Sequence, residues 1–254
     1  MHEGNYKNGL WNGKGIAYYQ NEKILYEGDF MNGKANGHGI LYDEEGQKKY
    51  QGGFSDGQRH GFGIWYSKKG NKIYEGDYED GVPHGKGISY YKNKNKKYEG
   101  EYQNGQQSGN GIFYYENGNK KYLGEFQLGK ADGYGSQFYL NGNLFYKGTF
   151  KAGKWNGKGI AFSQNGNFLY EGAFQDGKWH GRGILFQENG NKFYEGEFLQ
   201  HKEDGLGIKY WKNGNKMFEG IFKEGKWHGK GTLFYENGNI QLQGQWIYGN
   251  FIRY

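Results

Sequence analysis

The fold class predicted for this chain is all-β: an elongated, single-layer antiparallel β-meander of tandem hairpins. Three observations in its 254 residues predict it. Glycine returns every 24 residues, at Gly4, Gly28, Gly52, Gly76, Gly100, Gly124, Gly148, Gly172, Gly196, Gly220 and Gly244. An aromatic stands two residues after each of these, from Tyr6 and Phe30 through to Phe222 and Trp246. A second glycine pair keeps the same phase, from Gly13 and Gly15 to Gly229 and Gly231. A fixed period of about 20 to 50 residues marks a solenoid or array.

One unit, Tyr26 to Lys49, explains each element in turn. Tyr26, Gly28 and Phe30 alternate with Glu27 and Asp29, the period-two pattern of a half-exposed strand. Asn32-Gly33-Lys34 is turn chemistry, because glycine takes positive φ without a Cβ penalty. Gly39 to Tyr42 reads as the return strand, with Ile40 and Tyr42 on one face, and Asp43 to Gly46 turns again toward Tyr50. The apolar face is expected to carry Tyr26, Phe30, Ile40 and Tyr42. The mid-strand glycine leaves room over the backbone for a neighbouring ring. An isolated hairpin is marginal in water, so stacked copies must supply the stability. The chain reads as one array over 1–254, with units starting near 2, 26, 50, 74, 98, 122, 146, 170, 194 and 218. A half unit opens at Leu242. Some ten units of two strands at about 4.8 Å each give a ribbon on the order of 100 Å long. The half unit predicts either a longer array or ends that meet a partner, because an open sheet edge offers unpaired backbone groups.

Composition narrows the class further. Only 34% of residues are hydrophobic, 20% are aromatic and 50 are glycine, with one proline. Glycine at this level without a three-residue period excludes collagen, and the phased aromatics exclude simple disorder. With no cysteine there is neither a disulfide framework nor a thiolate metal site. The start, MHEGNYKNGLW, lacks the apolar run of a secretory signal, and no stretch of about 18 apolar residues reads as a membrane span. These features are compatible with a cytoplasmic location. The net charge of +6 is a mild excess, well short of a nucleic-acid arm.

The phasing YEGxF…NGKxHGxGI resembles the MORN repeat family over nearly the whole chain. The resemblance implies an elongated, trough-like sheet of hairpins with scaffold roles in cytoskeletal, ciliary (axonemal, as in radial spokes) and membrane-junction assemblies. It also implies a possible targeting arm for an enzyme encoded outside these residues. Three departures stand out. His201 replaces a turn glycine, so the tip of the 194–217 hairpin is expected to differ. Lys94 replaces the glycine of a second turn. Ser136-Gln137 replaces the usual isoleucine-containing strand start.

The chemistry-bearing residues read mostly as architecture. Five stretches approach the phosphate-loop pattern, among them Gly28 to Ala35 and Gly172 to Trp179, but Ala or Trp stands where Ser or Thr is needed and no helix follows. Carboxylates pair as Glu27/Asp29, Glu75/Asp77, Glu99/Glu101 and Glu195/Glu197, on a repeated polar face without the two unlike environments of acid–base catalysis. His60, His84, His180 and His228 share a phase that Asn36, Ser108, Asp132 and Asn156 also occupy, which suits hydrogen bonding better than metal binding. The reading is a protein that is not an enzyme and needs no cofactor or metal.

Two rows are left to encode partners. Trp155, Trp179 and Trp227, in phase with Trp11, either pack on their own hairpins or anchor a partner, since Trp is favoured at interface centres. Lys48, Lys49, Lys72, Lys96, Lys97, Lys120 and Lys121 form a basic row that turns apolar at Leu144, Phe145, Phe168 and Leu169. That row is either a solubilising edge or a surface for an acidic protein, a polymer or anionic phosphoinositides. Aromatics beside lysine also suit single-stranded nucleic acid, but the interleaved carboxylates oppose it. The partners expected are therefore other proteins, further copies of the chain joined by its edges, or anionic lipid.

Overall fold

The computed structural model describes residues 1–253, which fall into two compact units, 1–130 and 131–253. Its regular structure consists of 22 strands, from His2–Lys7 to Asn250–Ile252. The first unit is an open antiparallel meander from His2–Lys7 to Lys120–Gln127. The second is another, running on to Asn250–Ile252. Within each, strands consecutive in sequence pair with one another, as hairpin repeats demand.

Two kinds of turn alternate. In the first, both central residues take positive φ, as at Asn32 (51°) and Gly33 (83°), which matches the right-handed twist of the flanking strands. In the second, the amide of Gly46 donates to the carbonyl of Asp43 at 2.9 Å and Gly46 then takes φ of 86°, a three-residue loop closed by a glycine bulge. Both turns also hold the next repeat. Gly33 N–H donates to the Trp11 carbonyl at 2.9 Å, and Asn93 and Asn95 both donate to the Glu116 carbonyl at 2.8 Å. The asparagines of such second turns, as at Asn93 and Asn95, are thus clamps between successive turns.

His201 does not change its tip in the way expected. Gln200 and His201 take φ of 50° and 72°, the same pair of left-handed residues as elsewhere. The backbone accepts the strain of a non-glycine residue because His201 is tied to the preceding hairpin. Its N–H donates to the Trp179 carbonyl at 3.1 Å and its ring meets that indole edge-on at 5.1 Å. Lys94 and Glu22 likewise occupy the second-turn glycine position with φ of 72° and 63°.

The core is a stripe of aromatic rings on one face. Tyr26 stands across from Leu41, Glu27 from Ile40 and Gly28 from Gly39. Residues directly opposed share a face, so Leu41 joins Tyr26 and Phe30, while Ile40 and Tyr42 lie with Glu27. The expected grouping of Ile40 and Tyr42 with Tyr26 is therefore corrected. Three consecutive apolar residues, Ile40-Leu41-Tyr42, hide the alternation, and only the pairing register resolves it. The room over Gly28 and Gly39 is filled by the Tyr26 ring of the same hairpin, which lies where Cβ atoms would stand. Its hydroxyl donates to the Asp29 carbonyl at 3.1 Å, and Tyr50, Tyr98 and Tyr170 repeat that bond three residues on. Each ring meets an aromatic of its own strand and one of the next hairpin. Tyr26 is edge-on to Phe30 at 5.0 Å and to Phe54 at 5.1 Å. Such pairs add about 0.5–1.5 kcal/mol each beyond the area they bury.

This core predicts an alkaline limit. Burial pushes the Tyr26 phenol up to about 12, and Tyr50, Tyr98, Tyr146, Tyr170 and Tyr194 further still. The unfolded chain ionises its tyrosines near about pH 10. Their contribution to stability is therefore complete below that pH and is lost as pH rises toward and past 12. Tyrosinate absorbance and circular dichroism should change together in one steep transition. Ordinary tyrosine titration with the sheet signal intact would contradict the buried stripe.

Candidate interaction surfaces

The tyrosine face is largely occupied by its own rings. Trp155 stacks on Tyr146 at 4.6 Å, Trp179 on Tyr170 at 4.7 Å and Trp227 on Phe218 at 4.8 Å, as Trp11 does on His2 at 4.0 Å. Each indole also meets the next hairpin edge-on, as Trp179 meets Phe198 at 5.8 Å. All are half-buried, so part of each remains accessible to solvent. Trp155 also donates from Nε1 to Oε1 of Gln137 at 2.9 Å, which gives the unusual Ser136-Gln137 start a partner. Two other residues fill the same stacking position in ways the sequence reading did not single out. Arg59 lies 4.1 Å from the centre of the Trp65 ring and 5.1 Å from that of Tyr78, and it donates to the Gly81 carbonyl. Glu203 is only 8% exposed and pairs with Lys209, whose ammonium lies 2.9 and 3.1 Å from its two oxygens and 4.6 Å from the centre of the Phe193 ring. A charge or a charge pair at a stacking position was the available signal.

The lysine row is divided by a bulge. Tyr42 pairs with Lys48 while Leu41 pairs with Tyr50, so Lys49 is the extra residue, and Lys97 and Lys121 repeat this placement. Lys48, Lys72, Lys96 and Lys120 stand across from tyrosines of the glutamate face. There Lys48 donates to Gln51 at 2.9 Å, Lys72 pairs with Glu75, and Lys96 pairs with Glu99 at 2.9 Å. The bond from Lys96 holds the Glu99 carboxyl below its ordinary value, aided by the Tyr114 hydroxyl against the opposing effect of partial burial. Lys121 instead turns to the tyrosine face, 5.6 Å from the ring centres of both Phe113 and Tyr115. Lys49, Lys97 and Lys120 are exposed. The seven lysines thus do not form one stripe. A separate basic recess of about 620 Å³ lies at the second turns of the first unit, among Lys68, Lys69, Lys72, Lys92 and Tyr91.

The glutamate face has its own repeating device. At the bulge beside the second glycine pair, a backbone N–H is left facing a side chain nine residues upstream. Asp29 accepts it from His38 at 3.2 Å, Asp77 from Lys86 at 3.2 Å and Glu101 from Asn110 at 3.4 Å. In three of the four pairs noted in the sequence, Glu27/Asp29, Glu75/Asp77 and Glu99/Glu101, the second carboxylate is therefore a backbone cap. The paired glycines floor shallow grooves on this face. One in the first unit is lined by Phe62, Glu75, Lys86, Ile88, Glu99 and Glu101. In the second unit a groove of about 500 Å³ lies among Tyr134, Lys147, Lys158, Glu171, Ala173 and Arg182. A neighbouring one of about 620 Å³ continues to Ile184, Leu206 and Ile208.

The phosphate-loop look-alikes are strand–turn–strand segments, with the Asn32-Gly33 turn inside Gly28 to Ala35. Among the described residues no cluster of His, Asp or Glu could hold a metal ion. An open sheet of hairpins, with a self-filled aromatic face and grooves of varying lining on the other, defines a repeat protein built to present surface. Nine segments match the MORN repeat model, at residues 2–22, 26–48, 50–72, 74–96, 98–120, 146–168, 170–192, 194–216 and 218–240. A MORN repeat variant matches at 131–152. The chain belongs to the MORN repeat family, whose repeats are in general non-catalytic modules that bind proteins or lipid. No curated protein matches the chain.

Proposed function

We propose that this chain is a non-catalytic scaffold that holds other proteins along its sheet, as a structural component of a cytoskeletal or ciliary, axonemal assembly. The observation that carries the reading is the separation of duties between positions. The tyrosine stripe and the glycine pairs repeat without variation in role. The stacking positions, the turns and the groove walls change from one repeat to the next. Half-exposed Trp155, Trp179 and Trp227 serve in this reading as rigid aromatic anchors. Open strand edges allow copies to pair as well. A second reading, a peripheral adaptor for anionic phosphoinositides, is favoured by the recess with Lys68, Lys69, Lys72 and Lys92 and by exposed Lys49, Lys97 and Lys120.

One set of experiments tests both. The tagged protein is purified from its own cells, its partners are identified, and the same tag is localised. The expected result is stable recovery of cytoskeletal or axonemal proteins with a filamentous signal, weakened by Trp179→Ala. A monodisperse monomer with no protein partner, floating with vesicles only when they hold anionic lipid, would replace the first reading by the second.

A further inference from the structure

The capping carboxylate of the glutamate face is replaced at several positions, among them Gly53, Thr149, Ala173 and Ile221, and around Ala173 the chemistry is complementary to an anion. Ala173 stands where Asp29, Asp77 and Glu101 stand in the first unit, so the repeat supplies no carboxylate to the Arg182 backbone amide. Glu197, directly across from Arg182, turns instead toward Gly205 in its own hairpin. Charge changes at the same spot. Lys147 replaces the glutamate of the YEG motif, and Lys158 faces Ala173 across the strands. One equivalent cation of the first unit, Lys14, is answered by Asp29 at 3.3 Å. The ion pairs of the second unit lie elsewhere, at Lys154–Asp176, Lys192–Glu195, Lys209–Glu203, Lys216–Glu219 and Lys223–Asp204. Lys147, Lys158 and Arg182 therefore line the groove with Glu171 as the one carboxylate in its lining.

The groove also has a direction. Its basic part adjoins the neighbouring groove at Glu171, Gly172 and Arg182. There the charged pair of the wall becomes apolar: Leu206, 62% exposed, stands across from Ile221. Arg182 and Leu206 are one repeat apart, two strands at about 4.8 Å each, a span that about three residues of extended chain cover.

We infer that this groove docks an extended, acidic segment of another protein. A partner carboxylate takes the place of the missing cap at the Arg182 amide, between Lys158 and the Arg182 guanidinium, and an apolar residue about three positions away rests on Leu206, which stands across from Ile221. The inference rests on the protein-binding reading above and names the surface and the partner's chemistry.

Random-peptide phage display on the whole chain, followed by fluorescence anisotropy of the selected peptides, tests it. The decisive variant is Ala173→Asp, which restores the repeat's own cap and is expected to fold at least as well as the parent. Selected peptides should be rich in Asp or Glu with a neighbouring apolar residue. They should bind Ala173→Asp, and a K147E/K158E/R182E variant, about ten-fold or more weakly. Acidic peptides that bind Ala173→Asp as well as the parent would overturn the inference, as would selected peptides without acidic enrichment; either leaves protein binding in place. No selected peptide at all, with cellular partners still recovered, overturns the inference alone; loss of both removes the protein-binding reading too. Phosphatidylserine vesicles that bind the parent and not the triple variant, without peptide binding, would reassign the groove to lipid.

Discussion

Gly100→Ala should destabilise the first unit by about 3 kcal/mol or more, one added methyl group against a hairpin. A Cβ at Gly100 would lie 2.6 Å from the Asn110 carbonyl oxygen, 2.6 Å from Cα of Gly111 and 2.6 Å from the Tyr98 hydroxyl. Two of these neighbours are backbone of the paired strand and cannot swing aside. The third is fully buried and bonded to the Glu101 carbonyl at 3.0 Å. The strands must therefore part, and each repeat contacts only its neighbours, so unfolding should begin there and broaden. Urea unfolding followed by circular dichroism measures the loss. Gly118→Ala is the control. Its φ is +91° but nothing lies within 4 Å of the added Cβ, so the cost is backbone strain of about 1 kcal/mol. Equal losses at the two sites would show that packing over the paired glycines is not what the repeat protects.

Tyr170→Ala should cost the second unit about 3–5 kcal/mol. The ring is 0% exposed and holds four contacts together. It stacks on Trp179 at 4.7 Å, meets Phe174 at 5.1 Å and Phe198 at 5.2 Å, and bonds the Ala173 carbonyl at 3.0 Å. Its removal opens a cavity over Gly172 and Gly183 and leaves the Trp179 indole without its platform. Tryptophan emission should shift to the red and the urea midpoint should fall. Tyr170→Phe keeps the ring and loses only the hydroxyl bond, about 1 kcal/mol. Phe218 already stands at this position and stacks on Trp227 at 4.8 Å, so the ring rather than the hydroxyl is the larger part. A Tyr170→Ala protein as stable as Tyr170→Phe would refute the aromatic stripe as the core.

Both predictions turn on positions that the 24-residue period marks plainly. The lysine row, the tryptophan row and the carboxylate pairs were visible too, but their geometry was not. A one-residue bulge sends Lys48 and Lys121 to opposite faces, although the sequence places them in one basic row. The sequence leaves Trp179 either packed on its own hairpin or free to anchor a partner, and only the register sets it over Tyr170. The pair Glu75/Asp77 suggests two equivalent acids, yet Glu75 meets Lys72 while Asp77 caps the Lys86 amide.

The sequence alone determined the repeat, its phase, the two turns of each hairpin and the tyrosine–phenylalanine core, because each is a local pattern copied many times over. Periodicity of that kind needs no knowledge of which residues meet. The tertiary structure decided which face each side chain takes, which cations are answered and where the backbone cap is missing. Those depend on cross-strand register, and in a sheet a shift of one residue moves a side chain to the other face. Ala173 is unremarkable in the sequence. It becomes a gap only once pairing brings it beside Arg182 and Lys158.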